Sequence, residues 1–113
     1  DTAALLAAAD IFVCPSRHEP LGNVVIEAWA QGVPVIAADS YGPGILIEHR
    51  KTGILVPVDD SATMGRAIRN LLEDDTLRKH IAKNGHQAYQ EAFTEKIVIK
   101  QYMDFLQSIL ETA

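Results

Sequence analysis

Short continuous apolar runs alternate along this chain with longer stretches in which apolar positions recur every three or four residues. Ile11-Phe12-Val13-Cys14, closed by Pro15-Ser16, is the first such run and predicts a strand buried on both faces, as in a parallel sheet. Val33-Pro34-Val35-Ile36-Ala37-Ala38 and Ile54-Leu55-Val56 repeat the signal. Between them the period changes to that of a helix. Residues 2 to 9 read as a helix tail, and residues 22 to 31 as a helix with Val25, Ala28 and Trp29 on one face and Gly32 as its stop. The loop from Asp39 to Gly44 leads into a short helix ending near Glu48, and Thr52-Gly53 turns the chain into the third strand. Behind an Asp60 or Ser61 cap, Met64, Ala67, Ile68, Leu71 and Leu72 fall at helical spacing. A further helix follows an Asp75-Thr76 cap and carries Leu77, Ile81 and Ala88. The last starts at Thr94 and puts Val98, Tyr102, Leu106 and Ile109 on one stripe. This alternation predicts an α/β fold, a parallel sheet with flanking helices built from right-handed βαβ units.

Length and composition narrow the picture. At 113 residues the chain forms one domain at most. Apolar residues make up 48% and charged residues 22%, and a net charge of -5 with scattered signs leaves no basic face for nucleic acid, which is excluded as a partner. The single cysteine, Cys14, lies inside an apolar run and reads as a buried thiol, which excludes a disulfide scaffold. No apolar stretch approaches the roughly 20 residues that span a bilayer, and the first residues carry no basic segment of a signal peptide, so the expected location is cytoplasmic. The chain starts without methionine in the middle of an Ala/Leu helical pattern, which predicts a portion of a longer polypeptide.

In an open α/β sheet, ligands bind beyond the carboxyl ends of the strands. Three loops qualify: Pro15 to Leu21, Asp39 to Gly44, and Pro57 to Asp60. The basic run His49-Arg50-Lys51 precedes a strand, belongs to the opposite edge and reads as a solvated turn rather than a phosphate clamp. In the first loop, Glu19-Pro20-Leu21-Gly22-Asn23-Val24-Val25-Ile26-Glu27 places two carboxylates around a glycine at a helix start. Gly22 lets the main chain approach a bulky ligand, and the N–H groups of Leu21, Gly22 and Asn23, with the positive end of the helix dipole, favour a diphosphate. Glu27 lies roughly 7 to 8 Å further along the axis, where a carboxylate suits the two hydroxyls of a ribose. Glu19 can meet hydroxyls of a sugar beyond the phosphates. The plain alternative makes Glu27 a helix-surface residue and Glu19 a solvated loop acid. Arg17 and His18 read as a solvated pair, Trp29 as a packing residue against the sheet, and Tyr41 as either a substrate contact or surface.

At these residues the chain resembles the retaining GT-B glycosyltransferases of family 4, the glycosyl transferases group 1 type. The likeness runs through Ala9 to Ser16, Glu19 to Gly22, Glu27-Ala28, Gly32 to Ala37, Gly42-Pro43, Thr52 to Pro57 and the helix start from Phe93 to Tyr102. The resemblance implies that residues 1 to 113 are part of a Rossmann-like C-terminal domain that binds a nucleotide-sugar donor, with upstream strands and an N-terminal acceptor domain lying outside it. It implies that Glu19 is the catalytic acid touching the donor sugar, that Leu21, Gly22 and Asn23 contact sugar and diphosphate, and that Glu27 binds ribose. The implied reaction transfers a glycosyl group from a nucleoside diphosphate sugar to an unspecified acceptor with retention, by electrostatic stabilisation of the departing diphosphate and the oxocarbenium-like sugar. It implies no cofactor and no metal, and His80 and His86 do not share a helical face at metal spacing. Two departures limit the likeness. The family often has a glutamate two positions after the Gly-Pro of the second loop; Ile45 stands there, so only Gly42 is carried over as a contact from that loop. The family's Arg and Lys pair against the diphosphate precedes Asp1, and on its own this chain is expected to be inactive. A GT-B-like sugar-nucleotide epimerase and a binding module without turnover are the alternatives. In the intact protein the location is cytoplasmic or peripheral at a membrane. The sheet edge beside the upstream strands and the face of the final helix are expected to expose apolar surface and favour self-association.

Overall fold

The structure is a computed structural model that describes residues 10–15 and 23–112. Three parallel strands, β1 (Phe12–Cys14), β2 (Val35–Ala38) and β3 (Ile54–Val56), form a sheet in the order β1-β2-β3. Helix α1 (Asn23–Ala30) follows β1, α2 (Tyr41–Leu46) joins β2 to β3, and α3 (Ser61–Glu73), α4 (Asp75–Ala92) and α5 (Glu95–Thr112) complete the chain. The predicted α/β architecture and all three predicted strands are present. The helix predicted over residues 2 to 9 lies outside the described residues.

Alternation along the strands sorts the core into two layers, because successive side chains of a strand leave opposite faces. Cys14, Val35 and Ala37 pack with Val25, Ala28 and Trp29 of α1 on one face. Ile36, Ile54 and Val56 pack with Leu71 and Ile81 on the other. Register links the layers: Cys14 pairs with Ala37, and Ile36 with Ile54. With helices over both faces, every residue of β2 is buried, as its unbroken apolar run requires.

Boundaries shift for identifiable reasons. β2 begins at Val35 because Pro34 has no N–H for the ladder, although its carbonyl still accepts from Phe12 N–H at 2.9 Å. α2 stops at Leu46, short of Glu48, and Ile47 turns extended and buries itself in the core. Asp60 is the cap of α3: Oδ1 accepts from Thr63 N–H at 3.0 Å and Oδ2 from the Thr63 hydroxyl at 2.7 Å. The cap of α4 is Asp74 rather than Asp75, since Asp74 Oδ1 reaches Leu77 N–H, three residues on, at 3.0 Å. Asp75 is paired with Arg78 instead, and Arg78 also donates to the carbonyls of Leu71 and Leu72 at the end of α3. Leu72 faces solvent, unlike Leu71 one position earlier.

Helix α4 crosses beneath the amino edge of the sheet. Its first half carries Leu77 and Ile81 into one core layer, and its second half carries Ala88 and Tyr89 into the other. Between them Gly85 lies against the Trp29 indole, so closely that a Cβ there would sit 2.5 Å from Cδ1. Trp29 Nε1 donates to the Thr52 carbonyl at 3.1 Å, Asn84 Nδ2 donates to the Lys51 carbonyl at 3.0 Å, and His86 Nδ1 lies 2.9 Å from the Trp29 carbonyl. Trp29 is thus a packing residue, as its place in the helix pattern predicts. Gly32, at φ 69°, ends α1 in the left-handed conformation, with Gly32 N–H on Trp29 O and Val33 N–H on Ala28 O.

Helix α5 contrasts with all of these. Val98, Ile99, Tyr102, Met103, Phe105, Leu106, Ile109 and Leu110 are exposed, and at 100° per residue they share an arc of roughly 160°. The apolar surface expected on the final helix is therefore real.

Candidate functional site

The carboxyl ends of the strands hold the loops in which the sequence places its ligand site. Glu19, Leu21 and Gly22 lie outside the described residues. Asn23 is the first residue of α1, so its backbone stands at the amino end of that helix, on the edge to which β1 points. Glu27 is exposed, and it leaves α1 on the side away from Val25, Ala28 and Trp29, which are buried. Four residues separate Asn23 from Glu27, or about 6 Å of axis. The helix sits this way because its apolar side must meet β1 and β2, and because the turn at Gly32 directs the returning chain into β2. A carboxylate one turn inside a helix start thereby stands near N–H groups that have no partner within the helix, an arrangement that can hold a diphosphate and a diol together.

Gly42 is buried in the first turn of α2, which follows β2 at the same edge. Ile45, where the family often has an acid, is 69% exposed on that helix. Asp39 lies one residue past β2 and is exposed; a Cβ at Gly44 would collide with its carboxylate. Its signal in the sequence was an acid directly after a buried strand.

A cavity of about 440 Å³ opens at the same edge, touched by Pro15, Ala38 and Pro57 at the three strand ends and walled by Met64 and Ile68 of α3. It lies on the α3 face of the sheet, whereas α1 covers the other face, so the start of α1 and this cavity are separate features of one edge. Asp60 borders it. Hydrogen bonds from the Thr63 hydroxyl and Thr63 N–H hold its carboxyl below the ordinary carboxylate value. His49-Arg50-Lys51 forms an exposed turn before β3, with Arg50 at φ 68°, which agrees with its reading as a turn on the opposite side from the ligand loops. No described helix is long and apolar enough to cross a membrane.

Known proteins resemble the chain throughout. Residues 1–88 match the family described as glycosyl transferases group 1. The lipopolysaccharide core biosynthesis glycosyltransferase LpsE of Rhizobium meliloti (strain 1021) is 39% identical over 108 residues, which cover 96% of this chain and 32% of that protein. The crystal structure of Anabaena Alr3699/HepE in complex with UDP superposes with a TM-score of 0.87 at 31% identity, covering 92% of this chain and 29% of that one. Sucrose-phosphate synthase (tll1590) from Thermosynechococcus elongatus gives a TM-score of 0.90 at 32% identity, over 96% of this chain and 27% of that one. The chain thus spans 27–32% of the length of these relatives.

Proposed function

This chain belongs to the glycosyl transferases group 1 family and has the fold of GT-B glycosyltransferases, and from that premise we propose that it is the donor-binding portion of a retaining glycosyltransferase. The donor is a nucleoside diphosphate sugar. One observation carries the reading: Glu27 stands exposed one turn inside the helix that begins at the carboxyl edge, with the core side of that helix fixed by Trp29. HepE supports it, since structures of that protein with UDP and with UDP-glucose share this fold.

In this reading the N–H groups at the start of α1 hold the diphosphate, and Glu27 accepts from the ribose hydroxyls. Glu19, Leu21, Gly22 and Gly42 take the contacts to sugar and phosphate that the family resemblance implies. Fixed donors aimed at the leaving diphosphate lower the barrier by stabilising charge as it develops, without rearrangement at the moment of reaction. The acceptor belongs to the longer protein. Titration of the chain with UDP-, GDP- and ADP-sugars tests donor binding, and Glu27→Ala is expected to weaken whichever nucleotide binds by about ten-fold or more, as loss of a charged hydrogen-bond acceptor does. Unchanged affinity sinks the ribose assignment. In the full-length enzyme, proton NMR of the first product anomer tests retention.

A further inference from the structure

A groove of about 310 Å³ runs along the outer edge of β3, on the side of the sheet away from α1, from the His49-Arg50 turn to Thr63 at the start of α3. One wall is the His49-Arg50 turn, the other is the Thr63, Arg66 and Asn70 side of α3, and the floor is apolar, with Leu71 buried in it. The two walls are distant in sequence, and only the fold sets Arg66 across from Arg50.

Most of the polar groups there are donors, although Arg66 is tied through the Thr63 hydroxyl to the carboxylate of Asp60. His49 Nδ1 accepts from Leu55 N–H at 3.0 Å, which fixes the proton of the neutral ring on Nε2 and leaves that N–H as a donor. The Thr63 hydroxyl is occupied in both senses, donating to Asp60 and accepting from Arg66 Nη2 at 3.0 Å. Two guanidiniums and the Asn70 amide add further donors, and no carboxylate is among the described residues that line the groove. Lys51 differs from its neighbours: it pairs with Glu48 at 3.5 Å and does not line the groove. A donor-rich, cationic recess in a chain of net charge -5 is the complement of a small anion. The adjoining hollow shares Arg50 and Asn70 and is walled by Glu73, Asp74 and Asp75, so carboxylates bound the recess on that side.

Against the sequence expectation that His49-Arg50-Lys51 is only a solvated turn, we propose that this groove binds a single phosphate group, held between the guanidiniums of Arg50 and Arg66 with His49 Nε2–H as a third donor. The site is independent of the donor-binding reading and shares no residue with it. Two sources offer this chemistry, a soluble phosphate and a lipid headgroup, and the test separates them. The full chain is titrated with inorganic phosphate at constant ionic strength set by chloride, following the amide signals of Leu55 and Thr63 by NMR. Separately, the chain is sedimented with phosphatidic acid vesicles and with phosphatidylcholine vesicles. A saturable shift identifies soluble phosphate, and retention on phosphatidic acid alone identifies the headgroup. Either response should weaken at least ten-fold in Arg50→Asn/Arg66→Gln, chosen because Asn tolerates the left-handed backbone at position 50 and Gln keeps the helix. Lys51→Gln should leave the half-saturation point unchanged. Arg66→Lys, which retains the charge and loses the fork, serves if the double variant does not fold, and it should lose part of the affinity. Shifts that grow linearly and match those from chloride, together with no vesicle retention, overturn the proposal. So does a double variant that titrates like the parent chain.

Discussion

At the amino edge of the sheet, large apolar and aromatic groups interlock: Trp29 against Gly85, with Thr52 and His86 closing its polar ends. At the carboxyl edge, chain turns are held by side-chain caps and carboxylates, and Glu27 and Asp39 stand exposed. One edge is braced by dispersion and exclusion of water, the other by polar groups that stay available to solvent or ligand. The packing around Trp29 and the exposed Glu27 thus have different tasks, and substitutions at these two places should report on different properties.

Trp29→Ala should have the largest effect, a loss of about 3–5 kcal/mol by urea denaturation, because it empties the space between α1 and α4 and removes the donor to Thr52. Gly85→Ala should follow at about 1–3 kcal/mol, since its methyl enters the indole. A double-mutant cycle sharpens this: with Trp29→Leu in place, Gly85→Ala should be nearly neutral, and additive losses would break the pairing of these two positions.

Asp60 is expected to show a smaller effect with a distinct pH signature. Its carboxyl lies below the ordinary 3.8 in the folded chain, so its contribution is fully present above that value and fades as pH falls through the folded value. Thermal melts of Asp60→Asn and the parent chain should converge as the solution is acidified below about pH 4. A gap that widens in acid would show that the Thr63 hydrogen bonds do not govern this carboxyl. Glu27→Ala should change stability least, within about 0.5 kcal/mol, because the residue packs against nothing in the core. A large loss of stability from this exposed position would blur the separation of the two edges.

The pattern of apolar positions sufficed for the strands because each is a short apolar run, although only β2 is buried throughout and Phe12 and Val13 of the edge strand β1 are half-buried. It did not reveal how α4 is used. Gly85 in a helix pattern reads as a weak point, and only its contact with Trp29, far away in sequence, makes a missing side chain necessary. Asp74 was hidden for a local reason: two adjacent aspartates both satisfy a cap pattern, and backbone geometry selects the first. Of the proposed donor site, Glu27 was legible as an acid on the polar side of α1. The Arg50 and Arg66 groove was not, since neither wall points to the other until β3 and α3 pack.

Helix α5 sets the time scale on which different parts of the chain open. Eighteen residues are close to the length at which an isolated helix is only marginally stable in water, and α5 lays little of its apolar arc on the rest of the molecule. Its amides should exchange with deuterium through frequent local opening, while those of Ile36 and Ala37 wait for the whole sheet to come apart. A protease would therefore find Lys96 and Lys100 long before it reached any peptide bond of β2.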